Sequence, residues 1–332
     1  MQHAFASFLI GMTAALPLFA QCAPADLRTE LTEAERATIQ REVADVPYGI
    51  GRAFTAVRGD EELFLFGTLH SAEAGPLPAP LTDALANASQ VFVEVTIAEN
   101  ERLARQMQTN PGLIMNMEGD GLLETLSAKE WNVLTTAFEP YGMPAAAVDR
   151  LQPWFAGMML ALPACELMNQ AQGAQAIDAQ IEQIASGQGK PVLGLETAMQ
   201  AIDALASMPE PVQMDFLRIG ISTAEIAEPL FMTVAQIYAE GRIAEVYALS
   251  NVFSARVAPM DEVETMSEAV FDALLVGRNN NWMPAILDAA QNGPAVIAVG
   301  ALHLGGEEGL LRLLEGEGFD ITRVNLDGEV SE

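Results

Sequence analysis

Leu63-Phe64-Leu65-Phe66-Gly67-Thr68-Leu69-His70 is an apolar, strand-forming run that ends at a glycine, with a histidine three residues further on. Ala295-Val296-Ile297-Ala298-Val299-Gly300-Ala301-Leu302-His303 repeats the plan near the other end of the chain. The chain holds three histidines, and the remaining one, His3, sits in a segment that reads as a leader. Every other imidazole therefore follows a strand and a Gly-x-x-His step. In open α/β sheets ligands gather beyond the carboxyl ends of the strands, and glycine lets the backbone turn sharply there. If the two strands are parallel neighbours, both rings reach one pocket.

Working outward, β-branched and aromatic runs predict strands over residues 53–58, 62–66, 91–95, 191–195, 295–299 and 321–325. Ala53-Phe54-Thr55-Ala56-Val57, the turn Arg58-Gly59-Asp60 and the first histidine strand read as a hairpin. Helical periodicity fills most of residues 99–275, which reads as an insert lying over the C-terminal edge of the sheet. The expected fold is one α/β domain over residues 21–332, with a mixed central sheet flanked by helices. Thr32 with Glu35 forms a capping box at the start of an N-terminal helix. Gly305-Gly306-Glu307-Glu308 is expected to open the last helix, its carboxylates against the helix dipole.

Charge narrows the function classes. The formal net charge of −29 disfavours nucleic acid, whose phosphates need clustered Lys and Arg, and disfavours anionic membrane surfaces. From Ala4 to Ala20 there is no charged side chain, and a small-residue site at Ala20 precedes polar sequence. This reads as a secretory signal peptide over residues 1–20, with the mature protein periplasmic or secreted. No other stretch is long enough to span a bilayer. Two cysteines, Cys22 and Cys165, then pair as a disulfide in an oxidising compartment, with lipidation of Cys22 the other reading.

Three further residues carry chemistry. Glu94 interrupts the apolar run Val91-Phe92-Val93-Glu94-Val95, and a lone buried carboxylate is costly, so it is paired, metal-bound or on a solvated face. Glu196 follows the short strand ending in Leu193-Gly194-Leu195. Arg278 lies in a polar knot, Gly277-Arg278-Asn279-Asn280-Asn281-Trp282, ahead of the next helix, and either clamps an anionic group or makes a structural ion pair. Two imidazoles with one carboxylate, His70, His303 and Glu94, are a common ligand set for Zn²⁺, Mn²⁺ or Co²⁺. A second glutamate can serve such a site as general base. There is no His-Glu-x-x-His, nucleophile elbow or phosphate-binding glycine loop.

At these residues the chain resembles the TraB/PrgY/GumN family, to which the Tiki metalloproteases belong. Gly67-Thr68-Leu69-His70 and Gly300-Ala301-Leu302-His303 look like its two Gly-x-x-His motifs, and Glu94 falls on its strand glutamate. Gly194-Leu195-Glu196-Thr197 and Arg278-Asn279 with Trp282 match two further segments. The resemblance implies a fold related to erythromycin-esterase and ChaN-like proteins, and metal-dependent peptide cleavage as in the Tiki members. The leading expectation is therefore a metal-dependent hydrolase acting on a peptide or protein, with His70, His303 and Glu94 on the metal and Glu196 and Arg278 beside it. The competing expectation is a non-catalytic protein that holds haem, a metal or a peptide in the same pocket. A structural or regulatory partner role has only the helical insert in its favour.

Overall fold

The computed structural model describes residues 22–71, 73 and 75–331. The expected leader, residues 1–20, lies outside them. Six strands form one mixed sheet: β1 (Ala53–Arg58), β2 (Glu61–Thr68), β3 (Gln90–Val93), β4 (Val192–Gly194), β5 (Ala295–Gly300) and β6 (Asp320–Arg323). Their order across the sheet is β4-β3-β5-β2-β1-β6. β4, β3, β5 and β2 run parallel, while β1 is antiparallel to both its neighbours. The two histidine strands are adjacent, with Gly67 opposite Val299 and Thr68 opposite Gly300. The α/β class and mixed sheet agree with the sequence reading.

Burial explains why β5 is apolar without interruption: both faces of a parallel sheet are covered by helices. Ala295, Ile297 and Val299 pack with Trp282, Ile286 and Leu311 on one face. Val296 and Ala298 pack with Leu81, Leu85, Ile177 and Ile181 on the other. The residues between β3 and β5 are mainly helical apart from β4. Part of that segment builds its own apolar cluster around Leu134, Phe138 and Leu217. Among the described residues no helix is long and apolar enough to cross a membrane.

The cysteine pair is bonded, with Cα atoms 5.2 Å apart across 143 positions of sequence. Both cysteines are buried, and Cys22 is thereby tied to the helix Ala164–Ala171. The capping box of Thr32 and Glu35 is present at the helix Glu33–Val43.

Three local expectations need correction. β3 stops at Val93, so Glu94 stands just beyond the strand rather than inside it. Its carboxylate takes the Gly300 N–H of β5. The polar knot at Arg278 is not a loop: the helix Met260–Phe271 runs through a π-helical turn, Asp272–Val276, directly into the helix Gly277–Gln291. Its polar side chains have partners inside the protein, which offsets their weak helix preference. Finally, the last helix begins at Leu310, leaving Glu307 and Glu308 in the turn before it. Gly306 in that turn takes φ +92°, a left-handed conformation that a helix cannot include.

Candidate functional site

Each of the four parallel strands delivers one polar residue just past its carboxyl end: His70 after β2, Glu94 after β3, Glu196 after β4 and His303 after β5. The helix carrying Arg278 packs on the same face as Phe92 through Trp282 and Ile286, which brings the guanidinium over those strand ends. All five residues singled out from the sequence therefore meet in one place.

Glu94 is at the centre. Its side chain is only 8% exposed. Oε1 accepts the Gly300 N–H at 2.6 Å, and Oε2 accepts from Arg278 Nη2 at 2.5 Å. The imidazoles flank the same oxygen, with Nε2 of His70 3.6 Å and Nε2 of His303 3.5 Å from Oε1. Burial disfavours the charged form, but His70 and Arg278 outweigh it and hold the carboxyl well below its usual range.

His303 is buried in a short 3₁₀ turn, Ala301–His303, with the Trp282 ring 4.5 Å from its own. Its Nδ1 lies 2.6 Å from Asn279 Oδ1. The Asn279 amide nitrogen donates to the carbonyls of His303 and Glu308, which assigns Oδ1 as an acceptor and puts the imidazole proton on Nδ1. Nε2 is left with one lone pair, and Arg278 Nη1 sits 3.1 Å from it. Burial pushes this imidazole down to about 3, so it stays neutral.

His70 is the open member, its side chain 60% exposed. Asp178, in the first turn of the helix Ile177–Gly187, holds it: Oδ2 lies 3.0 Å from His70 Nδ1, while Oδ1 accepts the Thr68 hydroxyl at 2.6 Å. The Asp178 charge, then that of Glu94, raises the imidazole well above its ordinary range. Beneath this loop the buried Tyr238 hydroxyl donates to the Gly67 carbonyl at 2.9 Å. Gly67 is required there, because a Cβ would come within 2.8 Å of Ala301 Cα.

Arg278 ties the two carboxylates together. Nε and Nη2 donate to Glu196 Oε1 at 2.9 and 2.6 Å, and Nη1 donates to the Leu274 carbonyl at 3.0 Å. Trp282 lies under the guanidinium, 4.7 Å away, and donates its Nε1–H to Glu196 Oε2 at 3.3 Å. Burial pushes the Glu196 carboxyl up in spite of Arg278, while Glu94 is held down, so the two carboxylates differ in proton affinity. π-helical turns recur at functional sites, and the turn Asp272–Val276 supplies the Leu274 carbonyl beside Arg278.

Glu94, Arg278 and His70 line a cleft of about 520 Å³ whose other walls offer the amides of Asn100, Gln170 and Gln175 and the carboxylate of Glu182. Gly300 lies beside Glu94 and His70. A Cβ there would lie 3.1 Å from Glu94 Oε1 and 3.4 Å from His70 Nε2, so the missing side chain leaves a cradle between them. Sequence reasoning missed Asp178 and Tyr238. An aspartate in a helix's first turn reads as a response to the helix dipole, and a tyrosine in an apolar helix reads as core, so neither carried a local signal.

Comparison with known proteins follows the same residues. The sequence model of the TraB/PrgY/gumN family matches residues 53–323, which contain all six strands and the whole site. An uncharacterized protein, YbaP, of Escherichia coli (strain K12) is 25% identical over 260 residues, covering 77% of this chain and 89% of that protein. YbaP of Shigella flexneri matches to the same extent. No solved structure matches significantly. With a match that spans most of its length, this chain belongs to the TraB/PrgY/gumN family.

Proposed function

We propose that the protein is a periplasmic or secreted metal-dependent hydrolase, and that its substrate is a peptide or protein. The observation that carries this reading is the placing of two imidazole Nε2 atoms 3.5 and 3.6 Å from one oxygen of a buried carboxylate. Donors about 2.0–2.2 Å from a shared ion stand about 3.3–3.6 Å apart in a tetrahedral set. The surrounding contacts suit such an ion too: each Nδ1 is engaged by a side-chain oxygen, of Asp178 for His70 and Asn279 for His303, which directs each Nε2 inward. Among the described residues no three His, Cys, Asp or Glu side chains form a metal-binding group as they stand. The obstacle at His303 is a single hydrogen bond, from Arg278.

His70, His303 and Glu94 would hold a Zn²⁺, Mn²⁺ or Co²⁺ ion, with Glu94 alternatively serving as general base. When bound, such an ion polarises a carbonyl and makes water a nucleophile near neutral pH. The chain's own residues supply the rest. Glu94 is kept ionised by Arg278 and the Gly300 N–H, which suits it to hold a cation. Glu196, whose burial favours the protonated form, fixes the guanidinium that balances it. Asn100, Gln170 and Gln175 present donors and acceptors suited to peptide amides, and the carboxylates of Asp178 and Glu182 disfavour anionic substrates.

Metal analysis of the purified protein, an ultraviolet-visible spectrum for haem and peptide-library cleavage with and without chelator test the proposal together. Bound divalent metal with chelator-sensitive cleavage is expected. Cleavage that survives chelation and loss of both histidines would sink it. A haem spectrum without cleavage would move the site to the class of binding proteins.

A further inference from the structure

The bond that closes the site to an ion is also its most informative contact. The His303 proton sits on Nδ1, bound to Asn279 Oδ1, so Nε2 offers one lone pair. Arg278 Nη1 holds that lone pair at 3.1 Å, while Nη2 of the same guanidinium holds Glu94 Oε2 at 2.5 Å. Two of the three proposed ligands are thus engaged by one fixed cation. A guanidinium cannot shed its charge, so it cannot yield by deprotonation.

The rest of the arginine is built to stay when those two contacts go. Nε and Nη2 remain on Glu196 Oε1, Nη1 remains on the Leu274 carbonyl of the π-helical turn, and Trp282 keeps its place under the plane. Glu196 is itself anchored by Trp282 Nε1. The Arg278 guanidinium serves two carboxylates, Glu94 and Glu196, the first of which it shares with His70. A divalent ion at Glu94 would take over that share and leave Arg278 to Glu196.

We infer that Arg278 is the resident cation of the site, competing with a divalent ion for His303 and Glu94, and that Glu196 is the carboxylate to which it retires. The inference rests on the metal reading above and assigns Arg278 the role of setting metal affinity rather than binding substrate. It predicts an effect opposite in sign to that of a residue that merely props Glu94 in place.

The test measures the affinity of Mn²⁺, Co²⁺ and Zn²⁺, each alone, by titration calorimetry on chelator-stripped full-length protein. Wild type is compared with Arg278→Met, which keeps the length and removes the charge, and with Glu196→Gln. Because hydrogen bonds to charged groups are strong, Arg278→Met should bind at least one ion about tenfold tighter or more. Glu196→Gln should bind about tenfold weaker, its guanidinium thrown back on Glu94. Equal or weaker binding by Arg278→Met overturns the inference. If that variant does not fold, equal or tighter binding by Glu196→Gln overturns it. Failure of every form to bind any ion removes the metal reading as well. Wild-type binding without tightening in Arg278→Met removes only the role assigned to Arg278.

Discussion

The carboxylate of Glu94, at the end of β3, accepts the backbone N–H of Gly300, at the end of β5, across 2.6 Å. The bond joins neighbouring parallel strands where their ladder stops, and it aims the carboxylate between the two imidazoles. It works because Gly300 has no side chain in that space.

Gly300→Ala is therefore expected to weaken function without unfolding the protein. Gly300 has φ −49°, a conformation alanine adopts freely, so the backbone is not strained. The new methyl would press on Glu94 Oε1 and His70 Nε2 instead. Turnover and metal affinity should fall about tenfold, since the methyl asks Glu94 Oε1 to give by a few tenths of an ångström. Circular dichroism should be unchanged, and full activity in this variant would show that the cradle is not used.

His70→Ala and His303→Ala should each remove bound metal and activity, and the double variant should be little worse than either. Residues that act as a unit are strongly non-additive. Glu94→Gln separates two roles: lost metal marks a ligand, while retained metal with lost turnover marks the general base. Metal content by mass spectrometry and turnover on one peptide decide the matter.

Asp178→Asn should leave the fold intact and lower metal affinity or turnover about 10- to 100-fold, the usual cost of losing a group that orients a ligand histidine. Thr68 and His70 both lose a charged acceptor. A variant indistinguishable from wild type would show that the ring is held by other means.

Stability in chelated protein should fall as pH drops below 6.5. His303, pushed down to about 3 by burial, stays neutral in the fold while the unfolded chain takes up a proton near its ordinary 6.5. The unfolded state thus binds more protons between those values, so stability present above 6.5 is lost progressively on acidification. The loss between pH 6.5 and 5.5 is about 1 kcal/mol. His70 has the opposite sense: its raised affinity contributes fully below 6.5 and is lost as pH rises through its folded value. Thermal melts of His303→Gln should show a flatter limb over that acid unit, and an unchanged limb would put the slope elsewhere.

Removing both cysteines, as Cys22→Ser with Cys165→Ser, should destabilise the protein by about 2–5 kcal/mol, because the bond closes a long loop in the unfolded chain. Calorimetry of the oxidised wild type against the double variant measures this.

By itself the sequence determined the class of fold, the strands and the five residues that meet at their ends. Those signals are local: Leu63 to Phe66 and Ala295 to Val299 are apolar because both faces of a parallel sheet are buried, and Glu94 stands out because carboxylates are costly in such runs. What each residue touches was decided only by the tertiary structure. The pairing of β2 with β5 put the imidazoles side by side, a long-range register that no local pattern encodes. The continuous helix from Met260 to Gln291 turned a polar stretch that reads as a loop into the carrier of Arg278. Asp178, more than 100 positions from His70, became its partner because the helix Ile177–Gly187 packs on the sheet. Hydrogen bonds and charges act over a few ångströms, whatever the separation along the chain, so their partners emerge only when distant segments pack together.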